Sequence, residues 1–144
     1  MKALCTLTLS IAFGWALPSA AQTTAEQFAQ LLRDDLSPTG TMEGGTWFTN
    51  EAATHALGII YVHIPGSAGS VSIHAGVYGF LDSGWVKLTD VQGLFGSAPK
   101  DTQFIADRIK LTTLTTGPDD PRCCPTLPVR WSIDVLSGIA TRLN

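Results

Sequence analysis

Charge is scarce in this chain. Asp, Glu, Lys and Arg make up 15% of its 144 residues, against about a quarter in an ordinary globular domain. Neither sign forms a run and no basic stripe exists, so the sequence carries no electrostatic footprint for nucleic acid or for an anionic membrane surface. Cysteine is equally sparse, with three in all, too few for a disulfide-built scaffold. No apolar run reaches the roughly 20 residues that a membrane-spanning helix needs. The three histidines lack the short spacing of zinc ligand sets. There is no G-x-S-x-G elbow, and Gly66-Ser67-Ala68-Gly69 has neither the lysine nor the following helix of a phosphate-binding loop. The sequence therefore names no catalytic residue, no metal ligand and no cofactor.

What is present begins with an export-like leader. Lys2 precedes an uncharged, mostly apolar run over residues 3–17, and Ser19-Ala20-Ala21 supplies the small residues that a signal peptidase reads. This pattern predicts a signal peptide over residues 1–21, cleavage after Ala21 and a single domain over residues 22–144. It places the protein in the periplasm or outside the cell, with no membrane span after cleavage. Removing Lys2 leaves eight basic against twelve acidic side chains, a formal charge of −4. Cys5 leaves with the leader, so the remaining cysteines are the adjacent pair Cys123 and Cys124.

The pattern along the chain predicts an α+β fold, mainly β: one N-terminal helix laid over an antiparallel sheet of five to six strands. A small sandwich or half-barrel without a helix contact is the competing architecture. Ala25, Phe28, Leu32 and Leu36 recur at helical spacing; Thr23 with Glu26, or Thr24 with Gln27, fits a capping box. Thr46-Trp47-Phe48-Thr49 reads as a short strand or an aromatic plug. Residues 56–64 are apolar at nearly every position, a strand buried on both faces. Residues 70–81 alternate strictly, and Asp82-Ser83-Gly84 joins them to residues 85–89 as a hairpin. Residues 91–100 read as a loop with Leu94 and Phe95 tucked into the core. Residues 105–115 form one long strand, and Val129, Trp131, Ile133 and Val135 mark the last.

The densest local signal is Gly117-Pro118-Asp119-Asp120-Pro121-Arg122-Cys123-Cys124-Pro125-Thr126-Leu127-Pro128. Its prolines and its acids predict a turn stiffened by Asx-type hydrogen bonding, with Asp120, Arg122, Cys123, Cys124 and Pro125 as its structural or redox candidates. Adjacent Cα atoms lie only about 3.8 Å apart across a trans peptide, below the roughly 4.4 Å minimum of an ordinary disulfide. Three states stay open: a strained vicinal disulfide, reduced or externally joined thiols, and a redox or soft-metal site. Pro125 also permits a cis bond to Cys124. His55 and His63 share a strand face, and a neighbouring strand offers His74 as a companion to His63.

The run from Gly117 to Thr126, followed by Arg130-Trp131, resembles the C-terminal signature of small exported bacterial proteins of uncharacterised function. More distantly, it is similar to the Asp-Pro-x-Cys-Cys-Pro ending of mycobacterial LppP/LprE-type lipoproteins. The resemblance implies an exported cell-envelope protein without established enzyme activity and assigns no site residues. A lipid-accepting cysteine at the end of the leader is missing, so anchoring does not carry over. The expectation is a non-catalytic binding or envelope-accessory module, with an envelope protein as a compatible partner. The alternative is a thiol redox or soft-metal protein acting through Cys123 and Cys124.

Overall fold

A computed structural model describes residues 20–37, 39–67, 70–82, 84–121 and 124–143, with side chains from Ala25 onward. Most of the expected leader, including Cys5, lies outside the described residues. Among the described residues one helix, α1 (Ala20–Leu36), precedes eight strands: β1 (Met42–Thr49), β2 (His55–His63), β3 (Val71–Leu81), β4 (Gly84–Asp90), β5 (Ser97–Ile105), β6 (Arg108–Thr115), β7 (Leu127–Asp134) and β8 (Ala140–Leu143). No described helix is long and apolar enough to cross a membrane.

The fold is mainly β with one helix, and every strand pairing within its sheets is antiparallel. The expected sheet of five to six strands is corrected to two sheets of four, in orders β1-β2-β3-β4 and β5-β6-β7-β8. The break falls in the segment read as a loop. Val91 N–H still donates to Ala75 O of the first sheet, after which Gln92 pairs with Ile139 beside β8. Gly93 (φ 81°) and Gly96 (φ 106°) then turn the chain into the second sheet, conformations open to glycine and strained for other residues.

β2 is buried on both faces, as its unbroken apolar run predicts. Leu57 and Ile59 join Ala75, Val77, Ile109, Leu111, Val129, Trp131 and Ile133 in the core between the sheets. Ala56, Ile60 and Val62 face the other way and pack with Tyr78 beneath Leu32 and Leu36 of α1. The molecule is thus layered helix, sheet, sheet. Each large apolar side chain taken from water contributes roughly 1.5–3 kcal/mol, so these two cores supply most of the drive to fold.

Other boundaries also shift. Thr23 and Thr24 lie inside α1 rather than at its cap, because the helix extends back to Ala20 through alanines, the strongest helix formers. The expected strand over residues 105–115 is broken at Ala106, whose φ of 51° makes the turn between β5 and β6. β8, only four residues long, is too short to show a period.

Two glycines seat the helix. Gly58 and Gly76 are register partners on β2 and β3. A Cβ on Gly58 would collide with Leu32 Cδ2, and one on Gly76 would lie 3.2 Å from Leu36 Cδ2. The missing side chains are the space into which the helix lowers its two leucines. Gly58→Val should therefore destabilise the protein by about 1–3 kcal/mol, the usual effect of overpacking. Urea denaturation reads the loss, and amide exchange should accelerate in α1 more than in β6 and β7; an unchanged midpoint would contradict the packing.

Candidate binding cleft beside the Cys-Cys-Pro turn

The core between the sheets stops at Thr113, which is fully buried on β6. Trp131 Nε1–H donates to Thr113 Oγ1 at 2.8 Å, and that hydroxyl donates onward to Phe95 O at 2.9 Å. A tryptophan donor, a hydroxyl able to accept and donate, and a carbonyl form a complete relay. The Phe95 ring stands edge-on to Trp131, with centroids 4.6 Å apart. Gly96 crosses directly over Thr113, where a Cβ would lie 2.5 Å from Oγ1. Leu94 enters the core as expected. Phe95 does not: it is 49% exposed, because the relay fixes its carbonyl inward while its ring faces the open end of the sandwich.

Beyond this floor the sheets part around a cleft of about 740 Å³. Tyr61, Val71 and Ile73 line it from the first sheet, and Phe95, Leu114 and Pro125 from the second side. Tyr61 and Ile73 are register partners on β2 and β3, so they meet the space together. The Tyr61 hydroxyl is buried without a hydrogen-bond partner among the described residues, and burial pushes its pKa up. The remaining lining consists of Ser72, Ser97, Thr115, Thr116, Gly96 and Ala98. No described lining residue is charged. A cleft of this size and composition falls within the range of small-molecule sites.

The proline-rich turn forms one rim. Asp120 Oδ2 accepts N–H groups from Gly117 at 2.8 Å and Thr126 at 2.6 Å, and Oδ1 accepts the Thr126 hydroxyl at 2.8 Å. Asp120 N–H donates to Gly117 O, and Cys124 N–H to Pro121 O. One carboxylate thereby ties the start of the segment to its end, and Pro125 is delivered to the cleft wall. Cys124 is exposed, while Arg122 and Cys123 lie outside the described residues. No cis peptide occurs among the described residues, so the bond from Cys124 to Pro125 is trans.

The histidines do not assemble. His63 faces Val71 and His74 faces Ile60 in the ladder, a three-residue offset that keeps the two apart. His63 Nδ1 lies 3.6 Å from Glu43, and His55 Nδ1 lies 3.2 Å from the Thr54 hydroxyl. Among the described residues no three His, Cys, Asp or Glu are grouped to hold a metal ion. Ser72 Oγ and His74 Nε2 approach to 3.0 Å. Ser72 also donates to Val62 O, and no described carboxylate bridges to His74 to orient it as a catalytic base requires.

Sequence reasoning found the turn but missed the cleft walls. Tyr61 and Phe95 look like ordinary core residues in one dimension; only the glycine after Phe95 hinted that the backbone there passes close to something. Comparison with known proteins yields no matching family model, curated protein or solved structure.

The Asp120 clamp carries a pH signature. Its donors, Gly117 N–H foremost and then the Thr126 amide and hydroxyl, hold the carboxyl below its ordinary value of 3.8. A depressed folded value means that the clamp is fully present above that ordinary value and is lost as pH falls through the folded one. Amide exchange should show Gly117 and Thr126 protected at neutral pH and released only below 3.8. Asp120→Ala should release both at every pH; protection surviving in that variant would remove the carboxylate from its role.

Proposed function

We propose that this chain is an exported, non-catalytic binding module of the cell envelope, and that its ligand site is the cleft between the two sheets. The carrying observation is the combination of about 740 Å³ of space with a lining that holds no charged side chain among the described residues. Such walls favour a small, uncharged and mostly apolar ligand, because a charged one would be desolvated without a partner. Export is supported by the leader pattern of residues 1–21. The rigid rim from Gly117 to Thr126 serves to hold one wall in place, with Cys123 as the proposed partner of the Cys124 sulfur.

A second reading has this proposed disulfide exchange with external thiols, and the observation favouring it is the exposure of Cys124. Strained, exposed disulfides are the labile ones. The two readings separate on whether reduction changes ligand binding or is itself the activity.

Nile red, a neutral apolar fluorophore, tests the leading reading. Titrated into the protein, it should bind saturably, and Val71→Arg, which places a charge at the cleft, should weaken binding by at least roughly tenfold, the effect of about 1.4 kcal/mol. Val71 is exposed, so the fold tolerates the change. Val86→Arg, on the exposed surface of β4 and outside the cleft lining, should bind as the parent does. Equal affinity of the parent and Val71→Arg would refute the cleft as the site.

A further inference from the structure

We propose that the free edge of β1 is a docking site for an extended peptide, which adds as a fifth strand to the first sheet and buries one apolar side chain beneath α1. The site lies on the helix-facing side of that sheet, apart from the inter-sheet cleft.

The backbone is available there. In an antiparallel ladder, successive residues point their N–H and C=O alternately to one side and the other. Asn50 N–H donates to His55 O, and the register continues as Phe48↔Leu57, Thr46↔Ile59 and Gly44↔Tyr61. Those residues face β2, which leaves the N–H and C=O of Gly45, Trp47 and Thr49 directed outward. None of the three bonds to another backbone segment across that edge among the described residues.

The other edges are protected in the usual ways. β5 carries two register shifts, Pro99, and positive φ at Ala98 and Asp101. β4 is shifted against β3 and holds Lys87 in an ion pair with Asp90. β8 has four residues and includes Arg142. By contrast, β1 runs in continuous register from Gly44 to Thr49, and Glu43 is its single charge.

A cavity of about 550 Å³ lies beside this edge, lined by Phe28, Ala29, Leu32, Met42, Gly45 and Trp47 among others, with no charged side chain among the described lining residues. Gly45 adds no side chain to this face: a Cβ there would lie 2.7 Å from Met42 Cε and 3.2 Å from Ile60 Cγ2, so bare backbone forms that part of the wall. The Trp47 indole N–H is buried with no partner among the described residues. Unpaired backbone and an apolar recess on one edge are the two elements of strand-addition recognition, main-chain bonds for affinity and alternate side-chain pockets for specificity. The fitting partner is therefore an uncharged extended segment with a residue of leucine or phenylalanine size opposite Gly45.

A second copy of this chain fits less well. Its own β1 would offer Gly45, Trp47 or Thr49 on the helix-facing side. Trp47 is already held against Phe28 at 4.5 Å, Tyr78 at 4.8 Å and Trp85 at 5.3 Å, and the other two are too small to fill the recess.

The test uses the full chain and a blocked, fluorescein-labelled heptapeptide, Thr-Val-Thr-Leu-Thr-Val-Thr, with a Leu-to-Asp version as control. Fluorescence anisotropy should show saturable binding of the first and at least tenfold weaker binding of the second. Amide shifts in NMR should concentrate at Gly45, Trp47 and Thr49, with the Trp47 indole. Thr49→Pro, which removes an outward donor, and Ala25→Lys, which charges the recess, should each weaken binding at least tenfold, with circular dichroism confirming that both fold. Absence of binding, shifts centred on Phe95 and Ser97, or edge amides already protected in the peptide-free chain by its own N-terminal segment or by dimerisation would each overturn the proposal.

Discussion

The relay from Trp131 through Thr113 to the Phe95 carbonyl is the constraint on which the arrangement of the second sheet depends. It joins β7, β6 and the crossover that brings the chain from the first sheet, all on the face that meets the first sheet. Every polar group in it is satisfied by the next, which matters because a buried donor or acceptor left alone costs about 1–3 kcal/mol. The relay accepts one backbone path for residues 94–96, with Leu94 inward, Phe95 outward and Gly96 pressed against the hydroxyl. The end of the core and the floor of the cleft are consequences of the same two side chains and one carbonyl.

The two sheets are clasped near β8 as well. Gln92 donates to Gly138 O and accepts from Ala140 N–H, both at 2.9 Å, so the crossover becomes a short bridging strand rather than a loose loop. On the opposite face of the first sheet, paired glycines replace side chains and allow α1 to sit close. That sheet thus has apolar contacts on both faces but, among the described residues, an uncovered edge at β1. The resulting molecule has an interior defined by packing and two open apolar spaces defined by where packing stops.

Much of this was legible in one dimension. The unbroken apolar run of β2 states its two-sided burial, and the turn residues after β3 state the hairpin into β4; the alternation of β3 located that strand but not its burial on both faces from Ala75 to Gly79. Turn chemistry located the Gly117 to Thr126 segment, since proline and aspartate act on their own backbone. What escaped depends on contacts distant in sequence. Thr113 looks like any other threonine in a β-branched strand until Trp131, 18 residues away, is placed beside it. The division into two sheets hinges on the φ values of Gly93 and Gly96, and the break before β6 on a left-handed alanine, Ala106, where composition gives little warning. Histidines on neighbouring strands looked combinable, but pairing register, which no single strand records, set them three residues apart.

Hydrogen exchange of the Trp131 indole N–H, followed by NMR in the native protein, tests the central constraint most directly. If the relay holds the core end together, this proton exchanges only through global or near-global opening, on the timescale of the slowest amides of β6 and β7. An indole proton that exchanges within roughly tenfold of a solvent-exposed one, while those amides stay protected, would show that Thr113 does not hold Trp131 and that the cleft floor is not fixed by the relay.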